Sequence, residues 1–367
     1  MKSLYIHIPF CRQKCFYCSF AVSVGQELKV GPYLECLGTE AKEYQQENLS
    51  SIYLGGGTPT FINEDQLEKL FKILQENFIY PPSIEYTIEA NPEGITLEKA
   101  RLLKNLGVNR ISLGIQSLND RHLKFLGRNH GREDAVKAFD NLRRAGFDNI
   151  SVDMMSTFPA QEKRELEHDL EEMIRLGSEH ISVYALTIEE KSRFFVKNVR
   201  LPEGGIQAER YQKIAERLEA GGYQQYEISN FAKKGRESRH NINYWRGGNY
   251  IGLGMSAHSH QDGRRYWNVD RLSEYIRLIK ENKSPKAGEE NLGAPERFIE
   301  ALLLGLRMNA GVNIKELEER FECILDAERR KKITEFIAAR WLFFEGDFLK
   351  ASPQGRLLLD EISVRVI

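Results

Sequence analysis

The sequence predicts an α/β fold: a partial (β/α)6 barrel followed by an α-rich, winged-helix-like C-terminal domain. Three observations carry the prediction. Strand-like runs alternate with helix-like runs through the first two-thirds of the 367 residues. Those helical runs open at capping residues and close at glycines. The last part of the chain turns helical around one short hairpin signal.

The strand signals are LYIHI (4–8), SIYL (51–54), IEYTIEA (84–90), RISLGIQ (110–116), ISVDMM (150–155) and HISVYAL (180–186). Between them lie runs such as NEDQLEKLFKILQENF and REDAVKAFDNLRRAG, with apolar residues every three or four positions. Asn63 and Thr96 are placed to open helices, and Gly107, Gly146 and Gly177 to close them. Strand–helix–strand repetition forces parallel strands joined by right-handed crossovers. Six units suit an incomplete barrel, with chemistry expected at the carboxyl ends of the strands. Residues 1–220 are assigned to the barrel, 221–285 to an irregular Gly- and aromatic-rich segment, and 286–367 to the C-terminal domain. That last domain reads as helices, then a two-stranded wing around Gly346, then helix. Beyond ERRKK it has no basic recognition helix, so it is read as a packing or partner-docking module rather than a DNA reader.

Hydrophobic residues make up 41% and charged residues 29%, and the net charge is -1. Composition therefore gives no sign of a nucleic-acid partner or a membrane surface. No apolar run is long enough to span a bilayer. The opening MKSLYIHIPF lacks the apolar core and small-residue cleavage site of a signal peptide, so the expected location is the cytoplasm. Thiols stay reduced there. Of five cysteines, Cys36 and Cys323 lie in helical runs and read as packed thiols, whereas Cys11, Cys15 and Cys18 crowd one loop.

This C-x3-C-x2-C directly follows the first strand. Three thiolates on a short loop can hold three irons of a cubane cluster and leave the fourth without a protein ligand, where an electron-transfer ferredoxin would supply a further cysteine. An open iron implies an exchangeable ligand. The alternative is zinc with one distant ligand, but no second C-x2-C pair exists. Polar residues collect at the other strand ends. Gly55-Gly56-Gly57-Thr58-Pro59-Thr60 follows SIYL and lets backbone approach a ligand, or makes a plain tight turn. It lacks the Gly-Lys-Ser/Thr of a phosphate loop. Glu89, Gln116 and Asp153 end or nearly end the next strands.

The cysteine spacing, with Tyr17 before the last cysteine, resembles the signature of the radical-SAM superfamily. That resemblance implies a [4Fe–4S] cluster on Cys11, Cys15 and Cys18, with S-adenosylmethionine on the open iron, where an electron from the cluster yields a 5′-deoxyadenosyl radical. LYIHIPFC, GGGTPT, IEANPE, RISLGIQS and LGRNH resemble, in order, the coproporphyrinogen-oxidase-like branch. By that resemblance Tyr5, Gly56 and Glu89 contact S-adenosylmethionine. Tyr17, Gly57, Thr58, Gln116, Arg128 and Asp153 contact it or a second ligand beside it.

The branch divides into oxygen-independent coproporphyrinogen III oxidases and a heme-chaperone group. Oxidases carry a cysteine where this chain has Phe20, and an extension before the first strand where this chain has four residues. Residues 240–245, His240-Asn241-Ile242-Asn243-Tyr244-Trp245, resemble the H-N-x-x-Y-W motif of the heme-binding group. The resemblance implies heme as ligand, with His240 on the iron and Tyr244 and Trp245 against the porphyrin face; His258 and His260 are weaker candidates for the iron, since most histidines in such loops are hydrogen-bonded rather than metal-bound. It also implies a heme-acceptor protein, membrane-associated or not, and an electron donor. Coproporphyrinogen dehydrogenation, or radical chemistry on heme itself, is the alternative. Two runs depart from the branch. Its D-L-I-Y-G-L-P-G-Q becomes residues 153–161 without either glycine, and G-P-G-A-H-S becomes Gly254-Met255-Ser256-Ala257-His258-Ser259.

Overall fold

The structure is a computed structural model that describes residues 2–159 and 161–366. Ala160, in one of the two departing runs, therefore lies outside the described residues. The six expected strands are present: β1 (Lys2–Ile8), β2 (Glu47–Gly56), β3 (Glu85–Ala90), β4 (Arg110–Gln116), β5 (Ile150–Ser156) and β6 (His180–Ala185). They pair in parallel in chain order. β4 is buried at every position, as a strand covered on both faces must be. The helices between them pack outside. α1 spans Val30–Ala41, α2 Glu64–Asn77, α3 Leu97–Asn105, α4 Arg132–Arg144 and α5 Lys163–Leu176.

The expected caps form. The Asn63 side chain accepts the Gln66 N–H (2.9 Å) while Gln66 accepts the Asn63 N–H (3.0 Å), closing a reciprocal capping box. Thr96 Oγ1 accepts the Lys99 N–H, and Gly107, Gly146 and Gly177 all take positive φ. One large apolar core fills the space between strands and helices.

Residues 221–285, expected to be irregular, instead extend the sheet at both edges. Two short strands, β7 (Gln224–Gln225) and β8 (Asn230–Ala232), continue antiparallel from β6. At the other edge β9 (Tyr250–Leu253) pairs in parallel with β1, and β10 (His258–Gln261), β11 (Arg264–Asn268) and β12 (Lys286–Asn291) follow antiparallel. The sheet order is β7-β8-β6-β5-β4-β3-β2-β1-β9-β10-β11-β12. The strands of this stretch are only two to six residues long, too short for periodicity to register.

The C-terminal domain has its own apolar core. A helix (Ala294–Leu306) begins it. A helix (Ala327–Ala338) leads into the hairpin Leu342–Glu345 and Phe348–Ala351, which turns at Gly346 (φ 59°), and helix resumes at Pro353. A third short strand, Val312–Asn313, joins the wing. No helix among the described residues is long and apolar enough to cross a membrane.

Candidate functional site: the cysteine loop and the cavity beside it

The cysteine loop is tied to the strand ends on every side. The Gly57 N–H donates to the Ile8 carbonyl, the Thr58 N–H to Phe10 and the Ser23 N–H to Pro9 (2.7–2.9 Å). Phe16 anchors the middle: its N–H donates to Leu126, its carbonyl accepts from Phe194, and its ring lies beside an apolar cluster that includes Leu126 and Phe194.

Around this loop runs a continuous chain of polar contacts. Cys11 Sγ lies 3.5 Å from Thr58 Oγ1, which also accepts from Asn91 Nδ2 (2.9 Å). Arg128 Nη2 donates to Asn91 Oδ1 and to the Gly114 carbonyl, both at 2.7 Å. Its Nη1 reaches Cys15 Sγ and the Tyr17 hydroxyl, both at 3.4 Å. Two thiols, Thr58, Tyr17 and Arg128 are thus one connected unit. Gln116 lies beside it: a Cβ on Gly114 would meet Gln116 Nε2 at 3.0 Å, Asn91 Oδ1 at 3.2 Å and Arg128 Nη2 at 3.4 Å.

Does this loop fit an iron–sulfur cluster? Burial pushes the Cys11 thiol up to about 11 and raises Cys18 as well. Buried thiols in this state need cationic compensation to ionise, which iron provides and to which Arg128 adds. Gly57 makes the necessary room, since a Cβ there would sit 2.9 Å from Cys11 Sγ and 2.8 Å from the Pro9 carbonyl. The residues fit the cluster. Cys11, Cys15 and Cys18 would hold it, and when reduced it supplies one electron.

A second group surrounds Glu89. Its carboxylate accepts from the Tyr53 hydroxyl (2.9 Å) and from the Gly56 N–H (3.1 Å). A Cβ on Gly55 would lie 3.0 Å from both Tyr5 and Tyr53 and 3.1 Å from the Glu89 carboxyl, so glycine is what lets these three side chains meet. Desolvation, reinforced by Asp153, lifts Glu89 to about 7. Asp153 is itself raised by burial to about 6 and accepts from Ser112 (3.0 Å) and Ser151 (3.4 Å). The lost glycines leave a mark. Thr157 (φ 68°) and Ser256 (φ 59°) hold left-handed backbone at positions where the resembling runs carry glycine.

The His240 motif is helical, on α6 (Arg239–Trp245), rather than part of an irregular segment. Ser238 caps it, and the Arg239 and His240 N–H groups both donate to Glu85 (2.9 Å). Ser51 donates to Ser3 (2.8 Å), so its oxygen accepts from His240 Nδ1–H (2.9 Å). That tautomer turns the Nε2 lone pair to the Tyr244 hydroxyl (2.9 Å). His240 is 1% exposed, and burial with Arg110 nearby pushes it down to about 3. It is a neutral imidazole with both nitrogens engaged. Tyr244 stands edge-on to Tyr250 at 4.7 Å, and Trp245 carries Arg307 over its face at 4.6 Å.

Both groups open onto one cavity of about 900 Å³. Tyr5, Tyr53 and Glu89 form one wall; His240, Tyr244 and Trp245 form another. Lys14, Ser19 and Phe20 enter from the cysteine loop, His258 and His260 from β10, and Glu300 and Leu304 from the C-terminal domain. Tyr53, Asn91 and Tyr250 were not among the expected contacts, and the β10 histidines were expected only as weaker candidates than His240. Tyr53 and Asn91 each lie within or next to a recognised run and were findable there. For the β10 pair it was the strand, not the residues, that was unanticipated.

Parallel strands with three cysteines after the first, and a glycine-rich turn after the second, define the radical SAM class. Residues 5–175 match the radical SAM superfamily, and residues 292–358 match the HemN C-terminal domain. Heme chaperone HemW of Bacillus subtilis is 38% identical over 99% of this chain and 98% of its own. HemW of Lactococcus lactis is 33% identical over 99% and 98%. Radical S-adenosyl methionine domain-containing protein 1, mitochondrial, of Danio rerio is 32% identical over 98% and 85%. The chain belongs to the HemW family. Its fold matches that of coproporphyrinogen III oxidase (HemN) from Escherichia coli, with a TM-score of 0.88 at 23% identity over 99% of this chain and 89% of that one.

Proposed function

We propose that this protein is a heme chaperone, which takes up heme in the cavity beside the cysteine loop and passes it to an acceptor protein. The observation that carries the reading is that the His240 motif and the Glu89 group line the same cavity. Tyr244, Trp245, Tyr250 and Phe20 offer aromatic surface to a porphyrin, while Lys14, Lys191 and Arg265 offer cations to its carboxylates. His240 holds the Tyr244 hydroxyl and so fixes the ring that a porphyrin would meet. Tyr5, Gly56 and Glu89 bind S-adenosylmethionine in this reading, with Glu89 accepting from its amino group or ribose. Tyr17, Gly57, Thr58, Gln116, Arg128 and Asp153 line its other side. Acceptor and electron donor are separate proteins, met in the cytoplasm or at a membrane surface.

Phe20, 64% exposed and lining the cavity, stands where an oxidase has a cysteine, and is one reason to favour carriage over porphyrinogen oxidation. The test is anaerobic titration with heme, read in the Soret region, with 5′-deoxyadenosine assayed alongside. Tight stoichiometric binding without porphyrinogen turnover is expected. Absence of heme binding, with deoxyadenosine formed only when a porphyrinogen is supplied, would replace this reading with the oxidase.

A further inference from the structure

Four histidines line the cavity, and they differ in what their ring nitrogens do. His7 uses both, Nε2 with the Ala21 carbonyl (2.9 Å) and Nδ1 with the Tyr5 hydroxyl (3.2 Å). His240 uses both, as described. His260 lies 3.3 Å from the Gly248 carbonyl through Nδ1, and its Nε2 is unpartnered but sealed from solvent. His258 alone among these four is exposed, and its ring makes no hydrogen bond. Its ring is nonetheless held in place, stacked on Trp267 at 5.8 Å and 23°, on a strand that pairs with Trp267 directly across.

We propose that His258 ligates the iron of the bound heme. The inference rests on the heme reading above and adds the atom-level contact that reading leaves open. Iron needs an imidazole lone pair that it can reach without breaking a contact already made. At His240 that would require displacing the Tyr244 hydroxyl from a nitrogen in the floor of the cavity. At His258 nothing has to move. Partial desolvation beside Trp267, with Arg265 close by, also lowers the His258 pKa, so the neutral form that binds iron prevails near neutral pH. The stacked indole fixes the ring plane, as outer partners of metal-bound histidines do.

The experiment is heme titration of the full chain, cluster-loaded and anaerobic, with optical and electron paramagnetic resonance spectra of the heme complex. Wild-type protein is expected to show an imidazole-ligated spectrum. His258→Ala is expected to lose it, and free imidazole to restore it. His258→Met, which keeps bulk against Trp267, is expected to change the spectrum to that of a thioether ligand, and it reads the ligand should the alanine variant fold poorly. An unchanged spectrum in both variants, with wild-type heme uptake intact, overturns the assignment to His258 and leaves the heme reading standing. Loss of the spectrum in His240→Ala but not in His258→Ala also overturns it. A wild-type chain that takes up no heme overturns the heme reading itself.

Discussion

Glu89 is the residue whose environment makes the sharpest demand. Its folded pKa is raised to about 7 from an ordinary 4.5, first by desolvation and then by Asp153. Below about pH 4.5 the carboxyl is neutral in folded and unfolded chains, and the environment costs nothing. Between about pH 4.5 and 7 the unfolded chain ionises while the folded one keeps its proton, so stability falls as pH rises. Above about pH 7 both are ionised and the penalty is constant. At one pKa unit per 1.36 kcal/mol, that penalty is at most about 3 kcal/mol. Glu89→Gln cannot ionise and so removes the slope. It also loses one of two good acceptor contacts, because a carboxamide cannot accept from both Tyr53 and Gly56 through separate oxygens, at about 1 kcal/mol. The variant should therefore be about 1 kcal/mol less stable than wild type near pH 4.5 and about 2 kcal/mol more stable at pH 8. Urea unfolding of both proteins across that range, without S-adenosylmethionine and at equal cluster content, measures the difference. A destabilisation of the same size at every pH would refute the claim that the folded site resists ionisation of this carboxyl.

The remaining predictions concern the cavity and its supports. Gly57→Ala drives a Cβ to within 2.8 Å of backbone and 2.9 Å of Cys11 Sγ, so iron and sulfide per chain should fall sharply in anaerobic reconstitution, with near-wild-type circular dichroism. Tyr244→Phe leaves His240 Nε2 buried without its donor and should cost about 1–3 kcal/mol in denaturant unfolding. Ser256→Gly relieves left-handed backbone at φ 59° and should raise stability by about 0.5–1 kcal/mol; a loss of that size would mean the serine side chain holds the loop. S-adenosylmethionine, whose sulfonium and amino group are cationic, should bind more tightly as pH rises from 5 to 8, the range over which Glu89 becomes anionic; equilibrium dialysis at several pH values reads this.

The barrel was legible because its strands are buried on both faces and its helices carry apolar stripes and caps, and both are local signals. RISLGIQ could be read as a covered strand without knowing its neighbours. The cysteine loop was equally plain from spacing. What escaped was non-local. The strand under His258 and His260, β10, has four residues and takes its identity from pairing with β11 and, through β9, with β1. His240 could be recognised as part of a motif, but only packing reveals that Ser51, from a strand almost 200 residues earlier, takes one ring nitrogen and Tyr244 the other. Left-handed backbone at Thr157 and Ser256 was likewise unreadable, because neither residue type advertises it.

The parallel pairing of β1 with β9 joins Ser3 to Tyr250, and the cavity takes its lining from Tyr5 through Leu304. A chain emerging from the ribosome would therefore make its cysteine loop early and its cavity late. Until the helix Ala294–Leu306 is synthesised, the wall formed by Glu300 and Leu304 is missing and the aromatic surfaces meant for a porphyrin face open water. Order of assembly thus separates the two chemistries in time. The backbone partners of the cysteine loop are complete once Phe194 is made, whereas the cavity wall is complete only after Leu304, more than a hundred residues later.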